Sequence, residues 1–233
     1  MVTRTFTLGS EFDLFADDTE ETLVGSSFHQ AAITALDNGL TYCGLERGLP
    51  WFIGNQLRLI LPREAGKPTA QPSPDIIVHP TLGSSGRSSL DVVVDGPPTL
   101  AIEVVSPATA LGRDLNVTDP TGKPQLYAAA GIREYLAFDP LAEYIHEQVR
   151  GWLLGPHGIA LWLPDVSGRW VSASLGVSFA VQGALLRVYD QDGRLVPIYR
   201  EAINTLSLRE QQLTQRDREI AALQAELRRL RGQ

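Results

Sequence analysis

From Phe28 to Leu40 the apolar residues Phe28, Ala31, Ala32, Ala35, Leu36 and Leu40 recur at intervals of three and four, the spacing of an amphipathic helix. Ser26 and Ser27 both offer a cap, so a first helix is expected from the late twenties to about forty. Residues 10–22 before it are acidic and poor in large apolar side chains, which predicts an exposed arm. Trp51-Phe52-Ile53 and the alternating Leu57-Arg58-Leu59-Ile60-Leu61 predict paired strands, followed by a Pro/Gly-rich connection from Lys67 to Pro74.

Two later runs have a different pattern. Asp75-Ile76-Ile77-Val78 and Leu100-Ala101-Ile102-Glu103-Val104-Val105 are short, apolar and rich in β-branched residues, as strands buried on both faces are. Each carries one carboxylate. A polar loop after Ser106-Pro107 leads to Lys123-Pro124, where proline suits the first turn of a helix closing near Gly131. Glu134 to Phe138 predicts a further strand. Trp152 to Trp170 is turn-rich, and Gln182-Gly183 and Asp192-Gly193 each separate alternating runs, so the latter half is expected to be antiparallel hairpins.

From about Ala202 there is no Pro or Gly until Gly232, and Leu206, Leu213, Ile220 and Leu227 fall seven apart, the repeat of a coiled coil. The second seam position holds Arg209 and Arg216 before Leu223 and Leu230. A terminal helix that pairs with a second copy in a homodimer is expected, with folding back onto its own domain as the alternative. The expected division is 1–200 for the body and 201–233 for the helix.

Composition narrows the class. Apolar residues make up 43% of the 233 and charged residues 20%, ordinary globular usage that allows a sizeable core. The lone Cys43 excludes an internal disulfide framework. Met1 to Ser10 lacks the basic start and apolar run of a signal peptide, and no stretch is long enough to span a membrane. A cytoplasmic protein with no membrane partner is expected, and the glycosylation-type triplet Asn116-Val117-Thr118 is read as chance. The formal net charge of -7 argues against nonspecific coating of nucleic acid, which needs many phosphates neutralised by Lys and Arg. His79, His146 and His157 have no paired spacing that suggests zinc, no Gly-rich turn suggests nucleotide binding, and the four Trp residues are read as core, with stacking on bases or sugars as the alternative.

The candidate chemistry lies in the two acidic strands. A carboxylate inside an apolar strand is costly unless it is paired, hydrogen-bonded or bound to a cation. Ala101, Glu103 and Val105 share one face by the period of two, and Glu103 is its polar member, whether functional or set at a hydrated strand end. Asp75 alone reads as a turn-capping residue after Ser73-Pro74. Together with a lysine at a helix start, the two carboxylates can assemble a hard-cation site.

Pro74 to Val78, Pro97 to Pro107, and Lys123 to Pro140 with its Tyr127-Ala128-Ala129-Ala130-Gly131-Ile132-Arg133-Glu134-Tyr135 core resemble the Uma-two family of restriction endonucleases. That family looks like a branch of the PD-(D/E)XK nuclease superfamily. The resemblance covers most of residues 20–140. It implies an α/β (α+β) fold, a restriction-endonuclease-like central mixed sheet flanked by helices. It also implies that Asp75 and Glu103 coordinate Mg2+ or Mn2+, joined by the Val104 carbonyl. The superfamily's strand lysine would fall at Val105, and the family pattern places it instead on the following helix, at Lys123, one of only two lysines here. His29 and Gln30 correspond to polar residues that face the site from the first helix, with a surface histidine as the ordinary alternative. Asp114 reads either as a carboxylate supporting the ligands or as a loop charge. Tyr127 reads either as a phosphate donor or as a packing residue.

Three functions remain open from the sequence. The first is a metal-dependent endonuclease acting on DNA; its difficulty is that residues 1–203 hold 14 Lys plus Arg against 23 Asp plus Glu. Attraction of phosphate then needs a local patch, for which Arg58, Arg63, Arg87, Arg113 and Arg133 are candidates. The second is a catalytically weak or inactive nuclease-fold protein acting as a binding or oligomerisation module. The third, a hydrolase using Asp75 and Glu103 as an acid/base pair, leaves Lys123 unexplained.

Overall fold

The computed structural model describes residues 21–62, 71–83, 85–106, 114–119 and 121–232, the side chains of 21–26 excepted. The expected arm up to residue 20, the connection around Lys67, and Arg63 and Arg113 lie outside the described residues. The chain forms two compact units, one ending at Leu195 and one running from Val196 to Gln233.

In the first unit, helix α1 (Glu21–Glu46) leads into β1 (Phe52–Asn55), β2 (Arg58–Ile60), β3 (Ile76–His79) and β4 (Ser89–Asp91). The short α2 (Val92–Asp95), β5 (Leu100–Val104), α3 (Lys123–Ala129) and β6 (Glu134–Phe138) follow. Then come β7 (Val149–Gly155), β8 (Gly158–Trp162), β9 (Trp170–Ser172), β10 (Val177–Gln182) and β11 (Leu185–Tyr189). A six-stranded sheet runs β1-β3-β5-β6-β7-β8, beside a three-stranded β11-β10-β9 sheet and a two-stranded β2-β4 pair. Only β5 and β6 are parallel within the large sheet, as a crossover through α3 requires. The architecture is α+β with a central mixed sheet flanked by helices.

Every residue of β3, β5 and β6 is buried, the environment their continuous apolar runs predict. Ile77, Ala101, Val105, Tyr135 and Ala137 pack with Tyr127 of α3 and Trp152 of β7 in one core cluster. The alternate residues Ile76, Val78, Ile102, Leu136 and Phe138 are equally buried and by the period of two face the other way, the side to which α1 brings Ala32, Leu36 and Leu40. Helix α1 contacts β1, β3 and β5 of the large sheet and β11 of the small one. At Gly39 the approach is so close that an added Cβ would stand 2.7 Å from Val188 Cγ2.

Two expectations need correction. The first helix starts at Glu21, so Ser26 and Ser27 lie inside it rather than at its cap; an acidic residue in the first turn suits the positive end of the helix dipole. The strands around Phe52 and Arg58 do not pair with each other: β1 pairs with β3 and β2 with β4. Gln56 between them has φ 48, a left-handed turn that redirects the chain. Val92-Val93-Val94, a β-branched run, forms one helical turn. There Asp91 Oδ1 accepts from the Val93 and Val94 amides, and Asp95 Oδ2 accepts from the Asp91 amide.

The second unit is the helix α4 (Tyr199–Arg231). The Ile198 amide donates to Glu201 Oε2 at 3.0 Å, and no residue of the helix is buried. Among the described residues, no helix is long and apolar enough to cross a membrane.

Candidate metal centre

The register that sets Ile76 opposite Ile102 continues one step to bring Asp75 beside Glu103 at the end of β5. Asp75 Oδ2 accepts from the Val104 amide at 2.9 Å, which closes the sheet where β3 begins. Asp75 Oδ1 lies 3.2 Å from His29 Nε2 and 3.4 Å from Gln56 Nε2. The contact Val104 makes in the site is thus through its N–H.

Glu103 is 3% exposed and is held on both oxygens. Tyr127 donates its hydroxyl to Oε1 at 2.6 Å, and Lys123 Nζ lies 2.9 Å from Oε2. These partners come from α3, whose first and fifth residues sit one helical turn apart on the face toward the sheet. Lys123 Nζ is also 2.8 Å from Asp114 Oδ1, so one ammonium bridges two buried carboxylates. Asp114 Oδ2 is buried without a hydrogen-bond partner among the described residues. Tyr135 stacks on Trp152, meets Tyr127 edge-on and donates its hydroxyl to the Asp114 carbonyl at 3.0 Å.

Electrostatics follow from this packing. Burial pushes the Glu103 carboxyl up to about 7, with the Lys123 charge opposing and the Asp75 charge adding. Burial also acts to raise Asp75, but hydrogen bonds from His29 and the Val104 amide outweigh it and hold that carboxyl below its ordinary range. The hydrogen bond to Asp75 raises His29. Burial disfavours the Lys123 ammonium, yet Glu103 and Asp114 overcome it and raise the lysine. A firmly ionised carboxylate thus stands beside one that readily takes a proton.

Among the described residues, no group of three or more His, Cys, Asp and Glu side chains is arranged to hold a metal ion. Two adjacent carboxylates do fit magnesium or manganese, which commonly bind through one or two carboxylates and take their other ligands from water and phosphate.

The structure brings Asp75, Glu103, Lys123, Asp114, Tyr127 and His29 into one connected cluster. Gln30, next to His29, is exposed and takes no part in these contacts. Of the candidate arginines, Arg87 is paired with Asp95 at 2.8 Å, while Arg58 and Arg133 are exposed. Sequence reasoning missed Gln56. Its left-handed backbone directs its amide at Asp75, and no local pattern announces that conformation in a residue other than glycine.

A family model described as "Putative restriction endonuclease" matches residues 10–155. No curated protein matches the chain. Among solved structures the chain is similar to a crystal structure described as that of a "putative nuclease belonging to DUF820" from Anabaena variabilis. The two are 16% identical with a TM-score of 0.43, over 64% of this chain and 73% of the other.

Proposed function

The chain belongs to the family whose model matches residues 10–155, and from that premise we propose that it is a Mg2+- or Mn2+-dependent endonuclease hydrolysing phosphodiester bonds in DNA. The observation that carries the reading is the buried junction of Lys123 with Glu103, beside an Asp75 held ionised. A junction of this kind is costly to build for stability alone, since apolar residues of similar volume fill such space as well or better.

A divalent cation held by Asp75 and Glu103 would polarise a phosphate oxygen. The chain's own residues have separable tasks. Lys123 fixes a positive charge beside the carboxylates, where charge develops on a phosphate under attack. Tyr127 orients Glu103, and His29 with Gln56 orients Asp75. In an acidic body, attraction of the DNA backbone depends on this local charge.

The test is cleavage of plasmid and of short single-stranded DNA by the purified protein with Mg2+, Mn2+ or a chelator, beside Asp75→Ala, Glu103→Ala and Lys123→Ala. Cation-dependent cutting that each substitution removes supports the proposal. Equal background cutting by wild type and variants rejects it.

A further inference from the structure

Helix α4 presents Leu206, Leu213, Ile220 and Leu227 with Leu223 and Leu230, all between 52% and 62% exposed. Two arginines, Arg209 and Arg216, complete the seam. No residue of α4 is buried, and the stripe is the kind that another helix covers. We propose that α4 pairs with α4 of a second copy of this chain in an antiparallel coiled coil.

The orientation follows from the arginines. In a parallel pair each seam residue meets its own counterpart, so Arg209 would face Arg209 and Arg216 would face Arg216 across a desolvated seam. Like charges so placed are repelled, and this is a specificity device in coiled coils. In the antiparallel pair centred on Arg218, Leu206 meets Leu230 and Leu213 meets Leu223 of the second copy. Arg216 then meets Ile220, and Arg209 meets Leu227. Each of those partners is preceded by a glutamate, Glu219 and Glu226, at the flanking position where a seam arginine can reach it. All eight layers then contain at least one apolar residue, and each arginine lies near an opposite charge.

Two measurements on the full-length protein test this. Sedimentation equilibrium should give a dimer, and Leu213→Glu with Ile220→Glu should convert it to a monomer while the β-sheet circular dichroism stays unchanged. For orientation, Leu206→Cys and Leu230→Cys are made separately, one carrying a larger tag, and exposed to oxidised glutathione alone and mixed. Cys43 is buried, and wild type serves as its control. Because the two positions lie about 36 Å apart along a helix, the antiparallel pair predicts a mixed disulfide exceeding either homodisulfide by about tenfold or more. Homodisulfides formed by each variant alone would overturn the orientation, and a monomeric wild type would overturn the pairing itself.

Discussion

Lys123 and Glu103 form a buried ion pair, Nζ to Oε2 at 2.9 Å, in which the same ammonium also reaches Asp114 Oδ1. Lys123→Met would strand two carboxylates without a cation. Removing one partner of a buried pair costs about 3–5 kcal/mol, and that is the loss predicted at alkaline pH. Burial raises the Glu103 carboxyl, and without the opposing Lys123 charge it stands higher still in the folded state relative to the unfolded chain. Stability is therefore recovered as pH falls from the raised folded value toward the ordinary carboxyl range. Urea melts at about pH 8 and pH 5 measure this; an equal loss at both would contradict it.

Tyr127 donates to the other Glu103 oxygen at 2.6 Å. Tyr127→Phe keeps the ring contact with Tyr135 and removes only this bond. A hydrogen bond to a charged group contributes about 1.5–3 kcal/mol, and the variant should lose an amount in that range in chemical denaturation. No change would mean that Glu103 is held by Lys123 alone.

Cation binding should depend on pH through Glu103. Its carboxyl is pushed up to about 7 by burial, and a proton there competes with the cation. Apparent Mn2+ affinity should rise by roughly tenfold per unit between about pH 5 and 7, then level off. Calorimetric titrations across that range read the slope directly, and a flat profile would remove Glu103 from the ligands.

Gln56 adopts φ 48 while its side chain reaches Asp75. Gln56→Gly accepts that backbone conformation without strain, so stability should hold or rise by up to about 1 kcal/mol. Losing a group that orients a ligand costs about tenfold or more in affinity or activity. Thermal melts and cleavage rates should therefore move in opposite directions, whereas a parallel fall in both would make Gln56 merely structural.

Much of this arrangement was legible in the sequence. Strands β3, β5 and β6 declared themselves by unbroken apolar runs, and α3 by Pro124 at its start and Gly131 after its end. The heptads of α4 were equally plain. Asp75 and Glu103 stood out as carboxylates in or beside strands with little other polarity, Lys123 as a lysine at a helix start, and the family pattern pointed to the same three residues. Pairing was harder to read. Nothing between Phe52 and Leu61 indicates that β1 joins β3 while β2 joins β4, because the turn at Gln56 is made by a residue with no special tolerance for it. At Val92 to Val94 the β-branched preference is outweighed by two aspartates and their bonds to backbone amides. His29 reaches Asp75 across 46 residues, a contact set by how α1 lies on the sheet and not by local pattern.

Gly39 tests that placement of α1. In an exposed helix, Gly→Ala stabilises by about 1 kcal/mol. Here the new methyl would meet Val188 Cγ2 at 2.7 Å and Cβ at 2.8 Å. Gly39→Ala should destabilise by about 1–3 kcal/mol, and Val188→Ala in the same chain should restore part of the loss. A stabilised Gly39→Ala variant would mean that α1 does not lie against β11 this closely.

In the proposed site Asp75 and Glu103 together hold one hard cation beside Lys123. Calorimetric titration of Mn2+ into the wild type, Asp75→Asn and Glu103→Gln tests it most directly, with thermal melts establishing that each variant is folded. One Mn2+ per wild-type chain is expected, with affinity lower by about tenfold to a hundredfold in either variant. A folded Asp75→Asn protein that binds Mn2+ as tightly as wild type would contradict it.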